Sequence, residues 1–160
     1  MGQVANGAPE HFDVNHDISE FDCGNTDLNL WLRNHGLRAQ RERTAMTYVA
    51  TQNGKVMGYF SLAAHSVERD DIGGGKLARN APPLVPVVLL ARLAVDKRQQ
   101  RRHLGSDLLL NAIHIARETG RLVGLRAVVV DPTDAAAANF YLRLGFRPFP
   151  AQPDRLFYPL

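Results

Sequence analysis

Residues 87–110, VVLLARLAVDKRQQRRHLGSDLLL, decide how the rest of the chain is read. Val87 to Val95 is an almost unbroken apolar run, with β-branched residues at 87, 88 and 95. Such a run suits a strand buried on both faces. It stops at Asp96, and a cationic segment follows with Lys97, Arg98, Arg101 and Arg102. Gly105 then opens a second apolar stretch at helical spacing: Leu108, Leu109, Ala112, Ile113 and Ala116. A strand, a basic turn and a helix beginning near a glycine make an anion site. Free backbone N–H groups and the positive end of the helix dipole both point into the turn.

The bounds are those of an ordinary domain. A chain of 160 residues with 45% hydrophobic content is long enough for one domain with a core. No apolar run approaches the roughly 20 residues of a membrane span. The N-terminus has no basic region followed by an apolar core, so no secretory signal is expected. A single cysteine, Cys23, excludes an internal disulfide and fits a reducing cytoplasm. Nineteen Lys and Arg stand against 16 Asp and Glu, and their distribution matters more than the net +3. Residues 97–126 hold seven cations and two acids, and residues 33–43 hold four arginines and one glutamate. Local excess of this kind favours a polyanion, either a cofactor's phosphates or a nucleic acid.

Residues 1–10 are small and polar and are expected to be a flexible N-terminus before a single domain over 11–160. His11, Asp13, His16 and Asp17 match no familiar ligand spacing and read as an edge strand and loop, not a metal site. Asn25 or Thr26 caps a helix with Leu28, Trp31, Leu32 and His35 on one face, and Trp31 reads as core. Asn53-Gly54 between Thr47–Ala50 and Val56–Leu62 is a strong hairpin signal. Residues 65–86 read as a mobile loop over a cleft. Its Gly73-Gly74-Gly75-Lys76 lacks the outer spacing of a phosphate-binding Walker loop. A helix over 105–119 stops at Gly120 and a buried strand runs from Leu125 to Val130. Asp131 to Asp134 caps a last helix that ends at Gly145, and residues 155–160 form an extended tail. The order predicts an α/β fold, a mixed central sheet with helices on both faces.

Gln100-Arg-Arg-His103-Leu-Gly105 after the strand resembles the acetyl-CoA signature of the GNAT N-acetyltransferases, whose form is Arg/Gln-x-x-Gly-x-Gly/Ala. His103 replaces the first glycine. If the turn needs positive φ there, a histidine costs roughly 1 kcal/mol of strain. Ala138-Asn139-Phe140-Tyr141, followed by Gly145-Phe146, resembles the family's closing helix. Four segments together resemble the toxin branch of bacterial toxin–antitoxin pairs. They are Phe21-Asp-Cys-Gly with Leu30-Trp31-Leu32; Thr47-Tyr48-Val49 with Gly58-Tyr-Phe-Ser-Leu62; Leu89 to Asp96; and the C-terminal Phe-Tyr, Gly-Phe and Leu-Phe-Tyr-Pro-Leu. The match spans residues 16–160. The resemblance implies the GNAT fold, acetyl-CoA as cofactor, and acetylation of the α-amino group of aminoacyl-tRNA, which stops translation. It also implies a small ribbon-helix-helix antitoxin and a homodimer in the cytoplasm.

Acyl transfer from a thioester to an amine needs a neutral amine, help for the developing oxyanion and a proton for the departing thiolate. An α-amino group with a pKa near 7.7–8.0 is already neutral in a substantial minority, so no strong base is required. Backbone N–H groups at Leu93, Ala94 and Val95 are the candidates for the oxyanion and for the cofactor's amide-bearing arm. Gln100, Arg101, Arg102, His103, Leu104, Gly105 and Ser106 are the candidates for its phosphates. Ser106 reads equally as a turn cap, and Asn139 either bonds the cofactor arm or sits on the helix surface. The family pattern makes Tyr141 the candidate acid, the other reading being an aromatic core residue. Arg79, Arg92, Arg33 and Arg38 are the candidate tRNA contacts. Two alternatives stay open: a GNAT enzyme for a small amine or protein amino group, and a non-catalytic acyl-CoA-binding module. A Ser/His hydrolase is refused, since adjacent His65-Ser66 gives no triad and no Gly-x-Ser-x-Gly elbow occurs.

Overall fold

The structure, a computed structural model, describes residues 6–73, 75 and 77–160. Its strands are β1 (Asn6–His11), β2 (Met46–Gln52), β3 (Lys55–Glu68), β4 (Leu84–Val95), β5 (Ala127–Val130), β6 (Arg147–Pro148) and β7 (Leu156–Pro159). Its helices are α1 (Thr26–Arg41), the single turn α2 (Arg69–Ile72), α3 (Leu104–Val123) and α4 (Ala135–Arg143). The strands form one sheet in the order β1-β2-β3-β4-β5-β7-β6. It is mixed as expected: β4 and β5 run parallel, while β1/β2, β2/β3, β5/β7 and β6/β7 are antiparallel. Packing sorts the chain into two compact units. One is Met1–Ala63 with Ala91–Ala112, and the other is Ala64–Leu90 with Ile113–Leu160.

In the first unit the hairpin forms as read. Asn53 (φ 55°) and Gly54 (φ 80°) both take positive φ, the geometry of the turn that matches strand twist. Asn25 caps α1, its side chain accepting from Leu28 N–H at 3.1 Å. The helix buries Leu32 and Gly36 rather than His35, which is exposed. Leu32 joins Phe12, Phe21, Val49, Val56, Tyr59 and Ala94 in one core. Neighbouring residues of a strand face opposite ways. Tyr59 packs toward α1, so Gly58 faces the other side, where α3 lies. A Cβ on Gly58 would sit 2.8 Å from a Leu108 methyl and 3.2 Å from Ala94 O. Helices therefore cover both faces, and the glycine lets α3 come down onto β3. The N-terminus is corrected too: β1 begins at Asn6 and pairs Glu10 with Val49 and His11 with Tyr48. The rest of the proposed flexible segment, residues 1–5, lies outside the described residues.

In the second unit the segment 65–86 is largely fixed, against expectation. Val67, Ile72, Leu77 and Ala81 join Val85, Val87, Ala127, Val129, Phe149 and Phe157 in a core. Arg69 binds back to Pro83 O and Ala81 O, both at 2.9 Å. Polar residues alternate there with apolar ones that the composition hid. Gly74 and Lys76 of the glycine-rich stretch lie outside the described residues. Helix α3 also runs past Gly120 and stops at Gly124, which has φ 76° and donates to Gly120 O at 2.9 Å. The tail is a full strand: β7 pairs Val128 with Tyr158 and Val130 with Leu156.

Gly58→Val is expected to lower the unfolding free energy by about 1–3 kcal/mol, the usual cost of overpacking. Urea denaturation checks this, and unchanged stability would show that α3 does not press on β3 at this point.

Candidate active site

The end of β4 is built on one carboxylate. Asp96 is 1% exposed. Its oxygens accept from Arg98 N–H (2.9 Å), Arg98 Nε (2.8 Å), Arg98 Nη2 (3.0 Å) and Asp22 N–H (3.1 Å). Burial works against its charge, but the Arg98 side-chain and backbone bonds and the Asp22 N–H outweigh it, and the net pKa lies below the usual carboxylate value. Lys97 N–H donates to Asp22 O at 2.9 Å, tying the same loop again. Gln100 completes the brace, its amide nitrogen donating to Cys23 O (3.1 Å) and Val95 O (3.0 Å). Its side-chain donors are thus spent on the turn itself.

The turn that follows is a row of unspent donors. Arg101 (φ 65°) and His103 (φ 67°) lie in the left-handed region, with Arg102 between them outside it. This alternation turns successive N–H groups to one side, as in an anion-binding nest. Among the described residues, none of the backbone N–H groups from Arg101 to Ser106 is bonded to another protein group. The first bond of α3 is Asp107 N–H to His103 O at 3.0 Å. Position 103 does need positive φ, so the histidine carries the strain foreseen. Leu104 is buried and anchors the helix start, Gly105 and Ser106 are half-buried, and the side chains of Arg101, Arg102 and His103 stand exposed.

Among the described residues, the backbone before the turn has no ladder partner on one edge. The β4–β5 ladder pairs Val88 with Val128 and Leu89 with Val129, and β5 ends at Val130 while β4 runs on to Val95. Asp96 donates its N–H to Met57 O on β3 at 2.8 Å. Alternation along an extended chain turns the N–H groups of Leu93 and Val95 to the other edge and leaves Ala94 on the β3 side. Of the three strand residues expected to serve the cofactor, Leu93 and Val95 have their N–H groups on the open edge.

In the second unit, Asp134 caps α4 by accepting from Ala137 N–H at 2.8 Å. Tyr141 is buried, its ring 5.2 Å from that of Phe140 and 5.3 Å from that of Phe146. Burial pushes its phenol well above the ordinary value near 10, and its hydroxyl is bonded to no described residue. Asn139 is exposed on the same helix. Arg79 is exposed, and its carbonyl accepts from Arg126 at 3.3 Å. In the first unit Arg33 and Arg38 are exposed on α1, Arg38 bonding His35 at 3.1 Å. Arg92 is different: it is half-buried over Trp31, and burial lowers its pKa. Trp31 is therefore half core and half platform.

Sequence reasoning missed three residues. Asp96 looked like a strand terminator, although an acid beginning a cationic run is the signal that it holds the run in place. Gly58 gave no sign, because its partner Leu108 is fifty residues away. Arg155 was read as part of a tail, yet it grips Asp131 through Nε (2.8 Å) and Nη2 (3.0 Å) and reaches His65 at 3.3 Å.

Known proteins resemble the chain along most of its length. The family model described as the acetyltransferase (GNAT) family matches residues 12–146. A tRNA-acetylating toxin of Mycobacterium tuberculosis is 36% identical over 149 residues, 93% of this chain and 89% of that protein. The structure of AtaT complexed with acetyl-methionyl-tRNAfMet superposes with a TM-score of 0.89 at 29% identity, covering 95% of this chain and 94% of that one. A Tyr-to-Phe mutant of the AtaT toxin bound to the C-terminus of the antitoxin AtaR and acetyl-CoA superposes with a TM-score of 0.80 at 28% identity, covering 95% and 92%.

Asp96 has a depressed pKa in the folded state. Its contribution to stability is present above the unfolded value near 3.9 and is lost as pH falls through the lower folded value. Asp96→Asn is expected to be less stable than the parent at pH 7, and the gap is expected to narrow below about pH 4. Urea midpoints measured from pH 7 to pH 2 check this; a gap independent of pH would mean that the carboxylate's charge is not what holds the turn.

Proposed function

The chain belongs to the acetyltransferase (GNAT) family, and from that membership we propose that it transfers the acetyl group of acetyl-CoA to the α-amino group of an aminoacyl-tRNA, so removing that tRNA from translation. One observation carries the reading: a row of unspent N–H groups from Arg101 to Ser106, beside exposed cations, in a chain matching a tRNA-acetylating toxin over 93% of its length.

The residues present fit the cofactor. A nest at a helix N-terminus suits a diphosphate, since its donors are fixed and the dipole favours negative charge. Arg101 and Arg102 add charge without a carboxylate partner among the described residues. Acetyl-CoA bound there supplies an activated acyl group on a thioester. The N–H groups of Leu93 and Val95 would be the donors to its amide arm and acyl oxygen. They act as preorganised donors that need no rearrangement as charge develops. The acceptor amine needs no strong base, having an ordinary pKa near 7.7–8.0.

Tyr141 is the residue we assign to hold a proton for the departing sulfur. Its buried phenol stays neutral well past physiological pH. Its hydroxyl is not committed to another described residue. Arg79, Arg92, Arg33 and Arg38 are assigned to the tRNA, which carries its charge along a long backbone. A ribbon-helix-helix antitoxin and a second copy of the chain are the partners this reading implies. Charged tRNA and acetyl-CoA are cytoplasmic solutes, so it places the chain in the cytoplasm.

Incubation with labelled acetyl-CoA and total charged tRNA is expected to label the tRNA fraction. Label confined to protein or polyamine would remove the assignment. Tyr141→Phe is expected to lower kcat about 10²-fold or more, the usual worth of a positioned acid, while acetyl-CoA affinity changes little. Equal losses in both would indicate a packing role. The phenol's raised pKa also means no loss of kcat from this group below about pH 10.

A further inference from the structure

A proton donor serves its reaction only when its O–H is held within about half an ångström of the working position. The Tyr141 hydroxyl is bonded to no described residue, so no hydrogen bond fixes its ring. That task falls to packing. Phe140, 5.2 Å away, sits on the same helix and moves with it. The ring that meets Tyr141 from outside α4 is Phe146, with centroids 5.3 Å apart and planes at 60°. The backbone fixes the pair at its base, since the Tyr141 carbonyl accepts from Leu144 N–H (3.0 Å) and Phe146 N–H (3.1 Å). Phe146 meets in turn the ring of Tyr158 on β7, at 5.4 Å and 48°.

Tyr158 is the anchored end of this row. Its backbone pairs with Val128 in the β5–β7 ladder. Gly145, at φ 103°, lets its ring come close: a Cβ there would stand 3.2 Å from Tyr158 Cε2. The Arg117 guanidinium of α3 lies 5.7 Å from the ring centre and pairs with no carboxylate among the described residues. The Tyr158 hydroxyl is bonded to no described residue, so what this side chain contributes is its ring. Tilted aromatic pairs at such distances prefer one relative orientation and stabilise beyond the area they bury. The row therefore carries the fixed position of β7 to the ring of Tyr141. We infer that Tyr158 is a positioning residue for Tyr141: acting through Phe146, it holds the Tyr141 ring in the orientation from which the hydroxyl donates its proton. This step rests on the proposed role of Tyr141 as the acid.

The test uses the full chain with acetyl-CoA and charged tRNA, in a double-mutant cycle. Tyr158→Leu deletes the ring but keeps apolar bulk; Tyr158→Phe keeps the ring. Tyr158→Leu is expected to lower kcat about 10-fold, part of what a positioned acid is worth, while acetyl-CoA affinity holds within about twofold. Tyr158→Phe is expected to restore kcat to within about twofold of the parent. In a chain already carrying Tyr141→Phe, Tyr158→Leu should change kcat by less than about twofold, because the group it positions is gone. Arg117→Met, at an exposed site, secures the test if the ring deletion does not fold. It should lower kcat about two- to threefold, the worth of an exposed cation–π contact, and only where Tyr141 is present. Phenolate absorbance at about pH 10.5, taken as the difference between each chain and its Tyr141→Phe counterpart, reads this phenol without turnover. Burial keeps it protonated there in the parent, and Tyr158→Leu should let it ionise as water reaches it.

Any of the following results would overturn the inference. Tyr158→Leu keeps full kcat or, where it does not fold, Arg117→Met does. Tyr158→Leu lowers kcat as much in the Tyr141→Phe chain as in the parent, which makes the ring a structural prop. Tyr158→Phe is as impaired as Tyr158→Leu, which gives the effect to the hydroxyl. The Tyr141 phenol ionises alike with and without the Tyr158 ring. A Tyr141→Phe chain with full kcat would remove the acid itself and leave Tyr158 nothing to position. A parent chain that acetylates no charged tRNA would remove the proposed reaction, and the phenolate difference would still decide whether Tyr158 holds Tyr141.

Discussion

A buried carboxylate at the end of a strand governs this structure. Asp96 leaves water almost completely and is compensated by four N–H donors, three of them from Arg98. A buried charge is tolerated only when its lone pairs are met. Satisfying them forces the chain to turn back at Lys97 and fastens the loop before α1 to the same point. Gln100 then closes the two carbonyls that remain nearby. The turn is rigid before any ligand arrives, and a rigid turn loses little entropy on binding.

The rigidity makes room for strain. Arg101 and His103 are both held at positive φ, and each such side chain costs about 1 kcal/mol. What the fold gains is a set of parallel N–H groups that point outward together. A glycine at 103 would reach the same conformation without strain, yet the anchored ends on either side hold the histidine there. Close approach at Gly58 serves the same purpose from the other direction. It seats Leu104 and Leu108, and so fixes where α3 begins and where its dipole points.

Arginine plays three separate parts in the chain. Arg98 and Arg155 neutralise carboxylates and organise loops. Arg101 and Arg102 are exposed beside the nest and have no carboxylate partner among the described residues. Arg92 is neither, being stacked on an aromatic ring and hydrogen-bonded to a serine, with its Nε–Nη2 edge bonded to no described residue. Counting cations treats these as equal, and geometry separates them. Tyr141 illustrates the same point among the aromatics, since it packs like a core residue while its hydroxyl stays uncommitted.

Much was legible in the chain itself. The apolar run ending at Asp96, the cations after it and the helical spacing from Leu108 are local patterns. Local patterns survive in sequence because strand and helix periods are set by the backbone. The Asn53-Gly54 turn and the caps at Asn25 and Asp134 were readable for the same reason. The segment 65–86 was misread because Val67, Ile72, Leu77 and Ala81 are too widely spaced for either period, and only distant neighbours make them a core. The stop of α3 was misplaced because Gly120 is compatible with a helix interior, while Gly124 is the glycine at positive φ. Sequence alone determined the family of the fold and the place of the basic turn before α3, since both depend on residues adjacent in the chain. Only tertiary structure decided that Asp22 joins Arg98 on the Asp96 carboxylate, that Gly58 admits the helix and that Arg92 keeps an edge free, because each depends on groups far apart in the chain, 31 residues for Arg92 and Ser61 and 74 for Asp22 and Asp96.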